Sequence, residues 1–236
     1  MNRKKIGIPG WNIAENSFGV TKAYLEFISY FGTPIILTPH EGFRKDIDLL
    51  ILPGGKDIDT SRYNAIPGFY TGDSNQILEY FDKHVLPDYI NSETPIFGIC
   101  RGFQSLNVIF NGSLTQHYIH AYSKDRDELV HKLDLVDDLI AITTTNKSGS
   151  KSICKTIETN SMHHQCVFDH NLGDNLIPTL KHSDGVIEGI RHKSLPIFGV
   201  QYHPEELYDK YSVATIKYLL NYKNSPTYTN KLLKVA

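Results

Sequence analysis

Short, unbroken apolar runs alternate along this chain with longer stretches whose apolar positions recur every three or four residues. KKIGIP (4–9), PIILT (34–38), DLLILPGG (48–55) and PIFGI (95–99) are runs of the first kind. Their length and continuous apolarity predict strands buried on both faces. Val20, Ala23, Tyr24, Phe27, Ile28 and Tyr30 keep helical spacing until Phe31-Gly32 stops it. SNQILEYFDKHVLPDYI (74–90) predicts a helix that breaks or ends near Pro87, and RGFQSLNVIF (101–110) predicts one that Asn111-Gly112 ends. This alternation indicates an α/β protein with a parallel sheet covered on both faces.

The second half is less regular. HKLDLV (131–136), KSICKTIE (151–158), VIEGI (186–190) and PIFGVQ (196–201) predict strands, and 212–221 predicts a closing helix. TTTNKSGSK (143–151) reads as a surface turn, and 224–236 as a C-terminal extension. No repeat or composition shift marks a boundary, so residues 1–236 are read as a single domain.

Composition narrows the function classes. Hydrophobic residues make up 40% and charged residues 21%, and the formal net charge is −2. No basic face argues for nucleic acid or an anionic membrane. No apolar run approaches the ~18 residues of a membrane span. The basic start MNRKK precedes too short an apolar run for a secretory leader. Three widely spaced cysteines, Cys100, Cys154 and Cys166, argue against a disulfide scaffold and for a reducing, cytoplasmic setting.

One of these cysteines sits at a special place. Cys100 falls where the run PIFGI meets the helix RGFQSLN, between Gly98 and Gly102. A residue there projects from the strand end, where open α/β sheets bind ligands. The corner has the character of a nucleophile elbow, and a helix N-terminus favours a thiolate. GVQYHPEE (199–206), also following a strand, supplies the base such a thiol needs: His203, with Glu205 to orient it. Taken alone, a cysteine after an apolar run is more often a small core residue. The adjacent His163 and His164 with Cys166 nearby raise the question of a metal. Neighbouring residues project apart and no second Cys/His pair at zinc spacing follows, so neither metal nor cofactor is expected.

LPGGKDIDTSRY (52–63), PIFGICRGFQSLNVIFNGSLTQH (95–117), NSMHHQ (160–165), DGVIEGI (184–190) and FGVQYHPEE (198–206) follow one another in this order along the chain. Together they resemble the class I glutamine amidotransferase superfamily, in the γ-glutamyl hydrolase branch that includes γ-glutamyl-γ-aminobutyrate hydrolase. The resemblance implies a flavodoxin-like three-layer sandwich with a mostly parallel central sheet. It implies Cys100 as nucleophile, His203 as general base and acid, Glu205 as its orienting group, and Glu206 as a solvated charge. The backbone N–H groups of Gly55 and Arg101 would hold the oxyanion, a role in which one lost donor costs ~2.7–4 kcal/mol. Gln104, Ser161, His163 and Gln165 would line the pocket for a small γ-glutamyl substrate. His117 and His131 carry no implied role.

Some positions depart from that branch: Thr60, Asn64, Leu78-Glu79 and Asn111. None is a triad member; those after Tyr63 bear on the leaving-group side. The expected reaction is hydrolysis of a γ-glutamyl amide through a γ-glutamyl thioester. The alternatives are a glutaminase subunit feeding ammonia to a synthetase partner, and a non-catalytic relative. A homodimer stays open.

Overall fold

The computed structural model of the chain describes residues 3–145, 151–222 and 233–235. Its first strand β1 (Lys5–Pro9) leads into a hairpin, β2 (Trp11–Ala14) and β3 (Ser17–Gly19). Helix α1 (Lys22–Phe31), β4 (Thr33–Leu37) and β5 (Leu49–Leu52) follow, then α2 (Gln76–His84), α3 (Leu86–Asn91), β6 (Ile96–Ile99) and α4 (Arg101–Ile109). Four strands come next: β7 (His131–Leu135), β8 (Ile140–Thr145), β9 (Lys151–Ile153) and β10 (Thr156–Thr159). Strands β11 (Leu176–His182), β12 (Ile187–His192) and β13 (Ile197–Val200), helices α5 (Pro204–Leu207) and α6 (Lys210–Asn221), and β14 (Leu233–Val235) complete the chain.

Nine strands form the central sheet in the order β10-β7-β11-β12-β13-β6-β5-β1-β4. From β4 to β13 every pairing is parallel, and from β13 to β10 every pairing is antiparallel. Only β12 and β7 therefore run against the rest, and the sheet is mostly parallel as expected.

The strands at its centre are buried along their whole length because helices cover both faces. Successive side chains alternate between two cores. Leu49 and Ile51 pack with Phe27, Ile28 and Ile216 beneath α1 and α6. Leu50 and Leu52 pack with Phe81, Leu86, Phe103 and Leu106 beneath α2, α3 and α4.

The helix expected over 74–90 breaks near Pro87 as expected: α2 ends before Val85, which caps α3, with Pro87 in its first turn. A proline is tolerated there because its missing N–H has no partner in the first turn. The strand expected over 151–158 is two strands, β9 and β10, separated at Cys154-Lys155. Within the stretch read as a surface turn, residues 143–145 and 151–153 pair antiparallel as β8 and β9; 146–150 lie outside the described residues. Threonine suits a strand by its β-branch, yet a run of Thr and Ser resembles a loop by composition. Directly after β1 the chain forms the β2–β3 hairpin. Residues 233–235 pair in parallel with β8. No helix among the described residues is long and apolar enough to cross a membrane.

Strands β6 and β13 are parallel neighbours in register, Ile99 opposite Val200. The segments that follow them, 100–104 and 201–205, thus leave the same edge of the sheet side by side.

Candidate active site

Cys100 turns the chain from β6 into α4 at φ 51°, ψ −104°. A side chain other than glycine is strained there. The corner is held from both sides: the Cys100 N–H donates to the Val200 carbonyl at 2.8 Å and its own carbonyl accepts from Gln104 N–H at 3.1 Å. The two flanking glycines are required by contact. A Cβ on Gly98 would fall 2.7 Å from the Gly102 carbonyl, and one on Gly102 would meet the Leu52 carbonyl.

His203 caps α5, and its Nδ1 lies 2.7 Å from Glu205 Oε1. Asn160 fixes the backbone at this point: His203 N–H donates to Asn160 Oδ1 at 2.9 Å, and Asn160 Nδ2 donates to the Arg126 carbonyl at 2.6 Å. Burial by itself would depress the His203 pKa. The charges of Cys100 and Glu205 outweigh it and hold the imidazole well above its ordinary value. Cys100, His203 and Glu205, which the sequence predicts to act together, are thus brought together. Glu206 pairs with Arg126 at 2.8 Å across a partly exposed surface instead.

Gly54 lies at the centre of this group. A Cβ there would come 2.9 Å from His203 Cε1, 3.0 Å from the Tyr24 hydroxyl and 3.5 Å from Cys100 Cβ. Its N–H donates to the Tyr24 hydroxyl at 2.8 Å. Burial and the nearby Glu205 carboxylate push the Tyr24 pKa well above its ordinary value, so this hydroxyl stays protonated. Gly55, the expected oxyanion donor, is exposed and packs against Arg101, with 3.3 Å from its Cβ position to Arg101 Cδ. Arg101 starts α4, so its N–H has no carbonyl in a preceding turn to bind.

The other expected pocket residues, Gln104, Ser161, His163 and Gln165, are all buried. Gln104 Nε2 donates to the Gln165 carbonyl and to Gln201 Oε1, both at 3.2 Å, and Gln201 Nε2 reaches Cys100 Sγ at 3.7 Å. Gln165 keeps its side-chain amide buried without a hydrogen-bond partner. Ser161 N–H donates to Ser123 Oγ at 2.8 Å. His163 Nδ1 lies 3.0 Å from the Gln165 carbonyl oxygen.

Sequence reasoning misses Tyr24, Asn160 and Gln201 as members of this site. Tyr24 is indistinguishable from a core position on α1. Asn160 and Gln201 lie within quoted motifs, and only the fold shows which neighbours they hold. Tyr24→Phe removes the acceptor of the Gly54 N–H while filling nearly the same volume. We expect kcat to fall ~10- to 100-fold, the scale of a misplacement of about 1 Å, with KM little changed. Steady-state kinetics on the wild type and the variant check this, and an unchanged kcat removes Tyr24 from the site.

Comparison with known proteins follows the same outline. The family model described as Peptidase C26 matches residues 5–205. A Schizosaccharomyces pombe protein named "Putative glutamine amidotransferase PB2B2.05" is 33% identical over 215 residues, covering 85% of this chain and 81% of that one. "Protein NtpR" of Enterococcus hirae is 30% identical over 190 residues, covering 74% and 75%. Among solved structures, PurLQS from Thermotoga maritima superposes with a TM-score of 0.59 at 16% identity, covering 94% of this chain and 99% of that one. At that identity the likeness speaks for the fold alone.

Proposed function

We propose, from the premise that this chain belongs to the Peptidase C26 family and is class I glutamine amidotransferase-like, that it is a cysteine hydrolase of γ-glutamyl amides. The observation that carries this reading is the meeting of Cys100, His203 and Glu205 at the ends of two adjacent strands, around Gly54. In this reading the Cys100 thiolate attacks the γ-carbonyl carbon. The N–H groups of Gly55 and Arg101 take the charge that develops on oxygen. His203, its Nδ1–H held by Glu205, gives its Nε2 proton to the departing amine and leaves a γ-glutamyl thioester. Water, deprotonated by His203, then releases glutamate and restores the thiol. Gln104, Ser161, His163 and Gln165 shape the pocket for the glutamyl group. The branch that includes γ-glutamyl-γ-aminobutyrate hydrolase supplies the model for a substrate with a small amine leaving group.

A panel of γ-glutamyl amines and glutamine, offered to the purified chain with glutamate release read by mass spectrometry, tests the proposal. Release from at least one γ-glutamyl amine by the chain alone is expected. No release from any member of the panel, glutamine included, ends it.

A second reading, a glutaminase subunit working for a synthetase partner, draws on a different observation. Ile66, Phe69 and Tyr70 are exposed on one loop and Ile119 and Tyr122 on another. The two loops are pinned together, Gly68 N–H donating to Gln116 Oε1 at 2.6 Å and Tyr70 stacking on His117 at 4.2 Å. Exposed apolar patches of this kind mark contact surfaces. Turnover confined to glutamine, and raised by a co-purified partner, would select this reading.

A further inference from the structure

Glu188 stands inside β12 with its side chain fully buried, and neither carboxylate oxygen receives a hydrogen bond. Its nearest cations-to-be are imidazoles: His131 Nδ1 at 3.4 Å and His163 Nε2 at 3.5 Å from Oε1. Both distances exceed the usual N–H···O range of about 2.7–3.2 Å. A carboxylate buried in this way requires a positive charge beside it.

The histidines declare their tautomers. His163 Nδ1 lies 3.0 Å from the Gln165 carbonyl oxygen. A carbonyl only accepts, so Nδ1 carries the hydrogen, and a neutral ring then turns the Nε2 lone pair toward Glu188. His120 repeats the pattern. Its Nε2 lies 2.6 Å from the His163 carbonyl oxygen and donates to it, while Nδ1 is buried with no hydrogen-bond partner. Two lone pairs and a carboxylate thus converge, one ligand atom from each of His120, His163 and Glu188 lying within 4.8 Å of the others. A proton on His163 or His131 would pair Glu188 alone, whereas one metal ion among the three would also take the unpartnered Nδ1 of His120.

We propose that His120, His163 and Glu188 bind a zinc-type divalent metal ion. Two imidazoles and one carboxylate are a recurring zinc donor set, and tetrahedral bonds of about 2.0–2.2 Å place ligand atoms roughly 3.3–3.6 Å apart. The 3.5 Å between His163 Nε2 and Glu188 Oε1 falls in that range. Each histidine also gives its other ring N–H to a backbone carbonyl, the outer contact that orients metal-bound imidazoles. His131, stacked on His182 with centroids 4.6 Å apart, also faces Glu188 Oε1, at 3.4 Å. The ion would tie segments 117–122 and 160–165 to β12. The linear spacing of histidines predicts no metal because the ligands come from three segments, His120 and Glu188 lying 43 and 25 positions from His163.

The experiment uses the full chain purified without chelator. Elemental analysis is expected to find about one zinc per chain. Chelation should lower Tm, zinc should restore it, and cobalt substitution should give the visible bands of a tetrahedral site. His120→Ala and Glu188→Gln should each lose stoichiometric zinc and the cobalt bands. Glu188→Gln removes a fully buried charge; if it fails to fold, the half-buried His120 decides through its own variant. Substoichiometric zinc in the wild type, with Tm indifferent to chelator and to added zinc, overturns the proposal. So does a His120→Ala protein that binds zinc as the wild type does.

Discussion

Cys100→Ala is expected to lower turnover of any γ-glutamyl amide by ~10⁴-fold or more, with a cooperative thermal transition retained. In the proposed reaction the Cys100 sulfur forms the thioester, and neither of the other cysteines can replace it. Cys166 is fully buried, and burial pushes its pKa up to about 12. Cys154 donates its S–H to the Thr156 carbonyl at 2.8 Å. Cys100 alone faces an imidazole whose pKa is held above its ordinary value. Alkylation near neutral pH should therefore mark Cys100 first, and the mark should disappear in the variant. The raised His203 pKa also gives a sign. Its charge is fully present below the unfolded value, and the attraction to the thiolate is lost as pH rises through the folded value. Equal labelling of the three cysteines, or full turnover by the variant, would remove Cys100 from the chemistry.

Asp82→Asn is expected to destabilise the fold by ~3–5 kcal/mol, a Tm fall of roughly 6–20 °C for a chain of this size. Asp82 belongs to a buried group of two arginines and two acids beneath the N-terminus of α4. Its Oδ2 takes Arg62 Nη1 and Arg101 Nη1, both at 2.8 Å, and the Ser105 hydroxyl at 2.6 Å. Glu79 completes it, at 2.7 Å from Arg101 and 3.5 Å from Arg62. Formal charge sums to zero, and all four side chains are at most 6% exposed. Asparagine at position 82 leaves two guanidinium groups facing one carboxylate with little water to screen them. The exposed Lys22–Glu26 pair is the control: Glu26→Gln should change stability by under ~0.5 kcal/mol. A thermal melt in which the two variants behave alike would refute the distinction.

These two residues also show what could be read in advance. Cys100, His203 and Glu205 are legible because each follows a short apolar run, and the ends of neighbouring strands meet. The strands from β1 to β6 are legible because burial on both faces makes them continuously apolar. Asp82 is an acid on an amphipathic helix, and nothing local says that Arg62, twenty positions earlier, folds onto it. Likewise β11 carries Pro178 and polar positions, and its register slips against β12, so its pattern keeps no clean period. The four-histidine surroundings of Glu188 are invisible for the same reason. Local pattern reports burial and turn chemistry, whereas charge pairing across the fold depends on which segments the sheet places side by side.

The adjacency of β6 and β13 has a consequence for the life of the chain before it is complete. Cys100 and His203 are 103 positions apart, and β13 is inserted between β6 and β12. During synthesis, Cys100 leaves the ribosome long before His203 does. Until β13 arrives, β6 is the open border of the parallel half, and the thiol has no imidazole beside it. Under the proposed chemistry, a partly made chain therefore holds no thiol–imidazole pair until β13 has been made and docked.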